Sequence, residues 1–276
     1  MPIKDVSDKT LSELISLKGR SAVVTGAARG IGAAVARRLA EAGARVILAD
    51  LDGKGARAAA AEIETAFGAG SARGMEANVT DENSVAALAD AASQPTGRLD
   101  VWVNNAGIFP GGPSVEYSAE LFDSVMDVNL KGAFLGAREA ARRMVRQDPK
   151  GGAIINIASV AGLIGRRSLA AYTASKHGVV GLTKSMALEF GGEEIRVIGI
   201  APSAVATPGV MERAAAAVGI EADRIAALNK RVAEGLALGR VGVPDDIARV
   251  VLFAASDLAM LMTGCTIPVD AGATAG

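Results

Sequence analysis

Tyr172 and Lys176 stand four residues apart, a spacing that puts both side chains on one face of an α-helix. An ammonium beside a phenol favours the phenolate and lowers the tyrosine pKa. Moving that pKa from about 10 to near neutrality takes roughly 4 kcal/mol of differential interaction, and the result is a general acid/base that works at ordinary pH. Ser159 lies thirteen positions before Tyr172, directly after the apolar run Ala153–Ala158. At the carboxyl end of a strand, its hydroxyl could hold a substrate oxygen.

A second group sits near the start of the chain. The run Thr25-Gly26-Ala27-Ala28-Arg29-Gly30-Ile31-Gly32 follows an apolar strand and leads into a helical pattern. Glycines at such a turn let the backbone approach a pyrophosphate, whose charge the helix N-terminus stabilises. The spacing is G-x-x-x-G-x-G rather than G-x-G-x-x-G. Asp50 ends the next apolar run, eighteen residues beyond Gly32, where a carboxylate would hydrogen-bond a ribose 2′-hydroxyl. The same charge would repel the 2′-phosphate of NADP, and neighbouring Leu51 offers no cation to offset it, so NAD is the expected cofactor. Arg29 is the opposing feature, since it could reach a 2′-phosphate.

Positioning these groups requires a parallel sheet. Short β-branched runs alternate with longer Ala-rich amphipathic stretches, the pattern of βαβ units. Strands are expected at Ser21–Thr25, Arg45–Ala49, Ser71–Ala77, Asp100–Asn104, Ala153–Ala158, Ile195–Ile200 and Cys265–Val269, and helices at Ile31–Glu41, Lys54–Phe67, Asp81–Ala92, Ala119–Arg146, Ala171–Phe190 and Asp245–Ala255. Fully apolar stretches such as Val101-Trp102-Val103 fit a sheet covered on both faces. The expectation is a single doubly wound α/β Rossmann-type domain with seven parallel strands over residues 19–276, preceded by an extension over 1–18. The span 201–243 has no clear strand and reads as a substrate lid.

Composition narrows the chemistry further. Lys plus Arg number 29 and Asp plus Glu 30, which argues against a basic face for nucleic acid. One Cys and one His exclude an internal disulfide and a Cys/His zinc site, and with them a zinc-dependent alcohol dehydrogenase. No metal is expected. His177 follows Lys176, about 100° round the helix from it, and no G-x-S-x-G elbow surrounds Ser159, so a Ser-His-Asp hydrolase is disfavoured. Cys265 reads as a small buried strand residue. No window approaches the ~18 apolar residues of a spanning helix, and Met1 to Lys18 lacks the form of a signal peptide, so a cytoplasmic location away from membranes is expected.

Over Lys18 to Gly272 the chain resembles the short-chain dehydrogenase/reductase family. The resemblance rests on the glycine turn, Asn104-Asn105-Ala106-Gly107 after the fourth strand, and Tyr172-Thr173-Ala174-Ser175-Lys176. It implies a single Rossmann-type domain that binds a nicotinamide cofactor, and a homotetramer paired through the two long helices after the fourth and fifth strands. By position it implies Tyr172 as general acid/base, Lys176 as pKa modulator and ribose ligand, Ser159 as anchor of the substrate oxygen, and Asn129 as organiser of a water link to the lysine. It also places Asn105, Ala106 and Gly107 beside the cofactor, Asn78 and Val79 near adenine, and Val205 and Thr207 at the nicotinamide amide. Asn78 stands where the family usually has Asp, and Ser203 where it has Gly, which raises a question about the local backbone path.

Phe109, Val210 and Met211, with Val218, are expected to line the substrate pocket beside Ser159 and Tyr172. Their apolar character favours an aliphatic or cyclic secondary alcohol and its ketone. Arg166-Arg167 could bind a carboxylate or an acyl-carrier partner, or form a solvated loop pair. The expected activity is an NAD-dependent alcohol dehydrogenase or carbonyl reductase acting on a small molecule. The alternatives are an NADPH-dependent 3-oxoacyl thioester reductase and, from another class, a catalytically silent NAD-sensing protein.

Overall fold

The computed structural model describes residues 3–211, 227 and 230–275. Seven parallel strands run β1 (Ser21–Thr25), β2 (Arg45–Asp50), β3 (Ala72–Glu76), β4 (Val101–Asn104), β5 (Gly152–Ile157), β6 (Ile195–Pro202) and β7 (Thr266–Val269). They are ordered β3-β2-β1-β4-β5-β6-β7, the Rossmann arrangement. The chain steps outward from β1 to β3, then returns to the other side of β1 for β4. That reversal opens a crevice at the carboxyl ends of β1 and β4, where ligands of such sheets bind.

Alternation along the strands supplies two cores, one on each face. Ala22 and Val24 of β1 pack with Val35 and Leu39 of α2 (Gly30–Glu41) and with Ile247 and Val251 of α8 (Pro244–Ala255). Val23, between them, joins Trp102 of β4 in the opposite core, with Leu88 of α4 (Glu82–Ser93), Leu135 and Met144 of α6 (Gly132–Arg146), and Met186 of α7 (Ala170–Phe190). Helix α3 (Gly53–Phe67) covers β2 and β3 on the first face. Near the start, α1 (Leu11–Ile15) is capped by Thr10, and Leu17 after it is fully buried. Lys9 and Arg20 both pair with the carboxylate of Asp257, which is nearly inaccessible.

The single long helix expected over Ala119–Arg146 is instead two. Helix α5 (Ala119–Met126) passes into a wide π-helical turn, Asp127–Lys131, before α6 begins. The reason lies in Asn129, whose buried amide turns out of the helical stack to pair with both backbone groups of Ile108, at 2.8 Å each. Such π turns recur at functional sites. Cys265 precedes β7 and is partly exposed rather than buried.

Buried polar groups tie the second layer of helices to the sheet. Trp102 Nε1 donates to Asn104 Oδ1 at 2.7 Å, Asn104 Nδ2 donates to Asn156 Oδ1 at 2.9 Å, and Asn156 Nδ2 donates to Thr183 Oγ1 of α7 at 2.9 Å. Leaving any one of these buried groups unpaired would cost about 1–3 kcal/mol, so the chain fixes α7 against β5 and with it the residues α7 presents.

Candidate active site

The glycine turn is assembled from backbone and pinned by two side chains. Thr25 Oγ1, at the end of β1, accepts from the N–H groups of Asn105 and Ala106 at 3.0 and 3.1 Å. Asn105 Nδ2 returns two bonds of 2.9 Å to the carbonyls of Thr25 and Gly26. Gly26 and Gly30 take left-handed φ values of 64° and 62°, which glycine adopts without the usual penalty. At Gly32 the constraint is space, since an added Cβ would lie 2.2 Å from the Gly26 carbonyl oxygen. Helix α2 starts here with no side-chain cap from Arg29 and no acid in its first turn, so its leading N–H groups suit an anion.

Arg29, Gly30, Ile31, Asp50, Asn78, Val79 and Ala106 line a cleft of about 640 Å³ with Gly26 at its base. The Asp50 carboxylate is held in the cleft wall by two backbone donors, Ala28 N–H and Asp52 N–H, each at 3.0 Å. Asn78, expected near adenine, is tied into its own turn. Its carbonyl oxygen already accepts from the Thr80 N–H and hydroxyl, at 3.0 and 2.9 Å, so both lone pairs are engaged within a tight turn. The NH₂ of Asn78 is what its side chain can offer a ligand.

A second cavity, of about 500 Å³, holds Ser159, Tyr172 and Lys176 together. Ile31, Asn105, Gly107, Phe109 and Thr207 line both spaces, so they adjoin through a shared wall. Ser159 caps the short turn Val160–Gly162 by accepting from Ala161 N–H at 3.1 Å. Tyr172 and Lys176 lie one turn apart on α7, as the i, i+4 spacing requires. The Lys176 ammonium is 5.7 Å from the Tyr172 ring centroid and donates to the Ile157 carbonyl at 2.7 Å. Its burial pushes its pKa down to about 8. Phe109 meets Tyr172 edge-on, with centroids 6.1 Å apart.

Asn129 reaches this cavity through its neighbours. Its Nδ2 also donates to Ser175 Oγ at 3.1 Å, and that hydroxyl donates to the Tyr172 carbonyl at 2.8 Å. A Cβ on Gly107 would come within 3.2 Å of Asn129 Oδ1 and 3.7 Å of Lys176 Nζ; glycine there leaves the approach to both groups open. Ser175 is a link the sequence reading missed, although it sits inside the quoted Tyr-to-Lys run.

The remaining walls correct and extend the expectation. Val205 and Val210 line the catalytic cavity, but Met211 does not. Met211 is the next residue along, about 100° further round the helical turn that follows Thr207; both side chains are partly exposed, Val210 at 39% and Met211 at 43%. Val218 lies outside the described residues. Val232, Leu236 and Ala273 complete the wall; no local motif marks them, because they meet the site only through the fold. Ser203 keeps an ordinary negative φ and uses its hydroxyl to donate to the Asp270 carbonyl at 3.0 Å, which fastens β6 to the C-terminal turn. His177 is exposed on α7, with Nδ1 3.0 Å from the Thr173 carbonyl. Among the described residues no group of three His, Cys, Asp or Glu is arranged to hold a metal ion.

The comparisons with known proteins agree with this geometry. A family model described as enoyl-(acyl carrier protein) reductase, of the adh_short_C2 type, matches residues 26–274. D-threitol dehydrogenase of Mycolicibacterium smegmatis is 40% identical over 94% of this chain and 94% of its own length. 3beta-hydroxysteroid dehydrogenase 1 of Eggerthella lenta is 42% identical over 94% of this chain and 95% of its own. Among solved structures, a short-chain type dehydrogenase/reductase from Mycobacterium marinum superposes with a TM-score of 0.86 at 33% identity, covering 97% of this chain and all of that one. The chain belongs to the short-chain dehydrogenase/reductase family.

Proposed function

We propose that this oxidoreductase interconverts a secondary alcohol and its ketone with NAD(H) as the cofactor, the substrate being aliphatic or cyclic. The observation that carries the reading is the shared wall between the glycine-turn cleft and the cavity holding Ser159, Tyr172 and Lys176. The cleft suits a dinucleotide: Gly26, Gly30 and Gly32 leave room at the start of α2 for the pyrophosphate, Asp50 faces the ribose hydroxyls, and Gly107 leaves the path to Lys176 open. Bound there, the nicotinamide ring supplies the hydride donor or acceptor.

The chain's own residues supply the proton and the orientation. Ser159 Oγ and the Tyr172 hydroxyl hold the substrate oxygen, and Tyr172 takes the hydroxyl proton in oxidation or returns it in reduction. Lys176 stabilises the phenolate electrostatically and binds a ribose hydroxyl, while Asn129, through Ser175 and Ile108, positions the helix and the water that links to the lysine. Val205 and Thr207 hold the nicotinamide amide. Residues 19–276 act as one dehydrogenase domain after an extension over 1–18, and 201–243 serve as a lid, a reading supported by Val205, Val210, Val232 and Leu236 in the cavity wall.

NAD is preferred over NADP because Asp50 is a fixed negative charge. Two backbone donors hold its carboxylate in the cleft, so its charge stays where a 2′-phosphate would lie. The ratio of kcat/KM for NAD over NADP, measured with one oxidised alcohol, should exceed about 10; a preference for NADP would overturn the assignment.

A homotetramer is supported by exposed apolar side chains on the two long helices, Phe134 on α6 and Leu188 on α7, the latter 89% exposed. A cytoplasmic location is consistent with the described residues, among which no helix is long and apolar enough to cross a membrane.

A further inference from the structure

Arg166 lines the same cavity as Ser159 and Tyr172, whereas its neighbour Arg167 does not. Two cations, Arg166 and Lys176, face that space, and no Asp or Glu lines it among the described residues. Lys176 is already engaged by the Ile157 carbonyl. The Arg166 guanidinium has no ion pair or side-chain hydrogen bond to the described residues. The wall of the same cavity includes the apolar side chains of Leu169, Val210, Val232 and Leu236.

The backbone that carries Arg166 is held rather than slack. Ser168 adopts a left-handed φ of 58°, a conformation that costs a non-glycine residue about 1–2 kcal/mol and persists where surrounding structure enforces it. The enforcing contact is visible: Gly112 N–H donates to the Ser168 carbonyl at 3.0 Å, which joins the loop bearing Phe109 to the loop bearing Arg166. Leu169 N–H donates back to the Arg166 carbonyl at 3.4 Å, closing a turn just ahead of the helix that presents Tyr172.

We propose that Arg166 is a specificity-determining residue that binds an anionic group on the substrate, so that the favoured substrate is a secondary alcohol or ketone bearing a carboxylate or similar oxyanion. The inference rests on the alcohol/ketone reading above. A guanidinium recognises a carboxylate through paired N–H donors, a geometry that a lysine does not reproduce. Placed at the rim of an apolar cavity, this contact orients the substrate end to end, with the anion at Arg166 and the reacting oxygen at Ser159 and Tyr172. The chemistry of the hydride and proton transfers is unchanged by it.

The test pairs 4-hydroxycyclohexanecarboxylate with the neutral 4-methylcyclohexanol, using NAD and the intact protein. Wild type should favour the carboxylate in kcat/KM by about 10-fold, the scale of one charge-assisted contact near solvent. Arg166→Gln should erase that preference through KM, leave kcat for the neutral alcohol within about 2-fold, and contrast with Arg167→Gln, which should keep the preference. A preference that survives Arg166→Gln, or turnover of both alcohols by wild type without that preference, overturns the proposal. Calorimetric titration of cyclohexanecarboxylate into the NADH-bound protein separates the two levels. Binding that is lost in Arg166→Gln, with neither alcohol oxidised, supports the anion site and overturns the alcohol reading; turnover of both alcohols with no such binding overturns the anion site alone.

Discussion

The two halves of the site are built from different materials. The cleft beside β1 and β2 is made of backbone groups and the spaces that glycines leave, fixed by Thr25 and Asn105. The cavity beside β5 and α7 is made of side chains, Ser159, Tyr172 and Lys176; Lys176 donates to the Ile157 carbonyl, and Asn129 donates to Ser175, whose hydroxyl donates to the Tyr172 carbonyl. A site of backbone suits what many ligands share, in the proposed function a pyrophosphate, and at Gly26 and Gly32 it leaves no room for an added atom. A site of side chains can change its substrate one residue at a time, provided the few groups that carry the proton stay in place.

Substitutions can break this contrast in either half. The largest effect is expected at Gly32→Ala, whose new methyl would lie 2.2 Å from a backbone oxygen that Asn105 also holds. The turn must then shift as a unit. NADH affinity, read by fluorescence titration, should fall by at least about 100-fold, on the order of 3 kcal/mol, with the folded state retained. Unchanged affinity would mean that the backbone of the turn does not define the dinucleotide cleft.

An effect of comparable size, visible without any ligand, is expected at Lys176. Burial lowers its pKa from 10.5 to about 8, so between those values the unfolded chain binds more protons at this site than the folded one, and stability rises with pH there. Below about pH 8 the full desolvation penalty is present. Urea unfolding of wild type and Lys176→Met should therefore converge as pH climbs from 8 toward 10.5, wild type gaining roughly 3 kcal/mol relative to the variant at 1.36 kcal/mol per unit. A difference that does not vary with pH would show that Lys176 is not buried as a titrating ammonium.

Much of this was legible from residue types because each signal was local. The central strands appear as short, largely apolar runs because both faces of the sheet are covered there, whereas the edge strand β3, Ala-Arg-Gly-Met-Glu, is largely unburied; the observed boundaries move by at most two residues. Tyr172 and Lys176 declare themselves by a four-residue spacing within one helix. What escaped was decided across the fold. The π turn at Asp127–Lys131 depends on Ile108, twenty-one residues away in sequence, and nothing in the run Val128-Asn129-Leu130 announces it. Met211 is expected in the wall on its apolar character alone, whereas Val210 beside it is the residue that lines the cavity. Ala273 and Leu236 enter the cavity from the turn after β7 and from a segment bonded to it, Leu238 N–H donating to the Ala271 carbonyl, neither of which a local motif marks. Arg166 was readable as either a solvated loop residue or an anion ligand until the fold placed it in the lining of the cavity that holds Tyr172 and left Arg167 outside.

The central claim is that Tyr172 handles the proton in an NAD-linked oxidation whose cofactor is held independently by the glycine-turn cleft. The most direct measurement is NADH formation from a panel of secondary alcohols by wild type and Tyr172→Phe, alongside NADH binding to both proteins. Wild type should turn over at least one aliphatic or cyclic secondary alcohol. Tyr172→Phe should lose at least about 100-fold in kcat, the lower range for general acid/base catalysis, while binding NADH within about 3-fold of wild type. Turnover that survives the loss of the phenol hydroxyl would contradict the account.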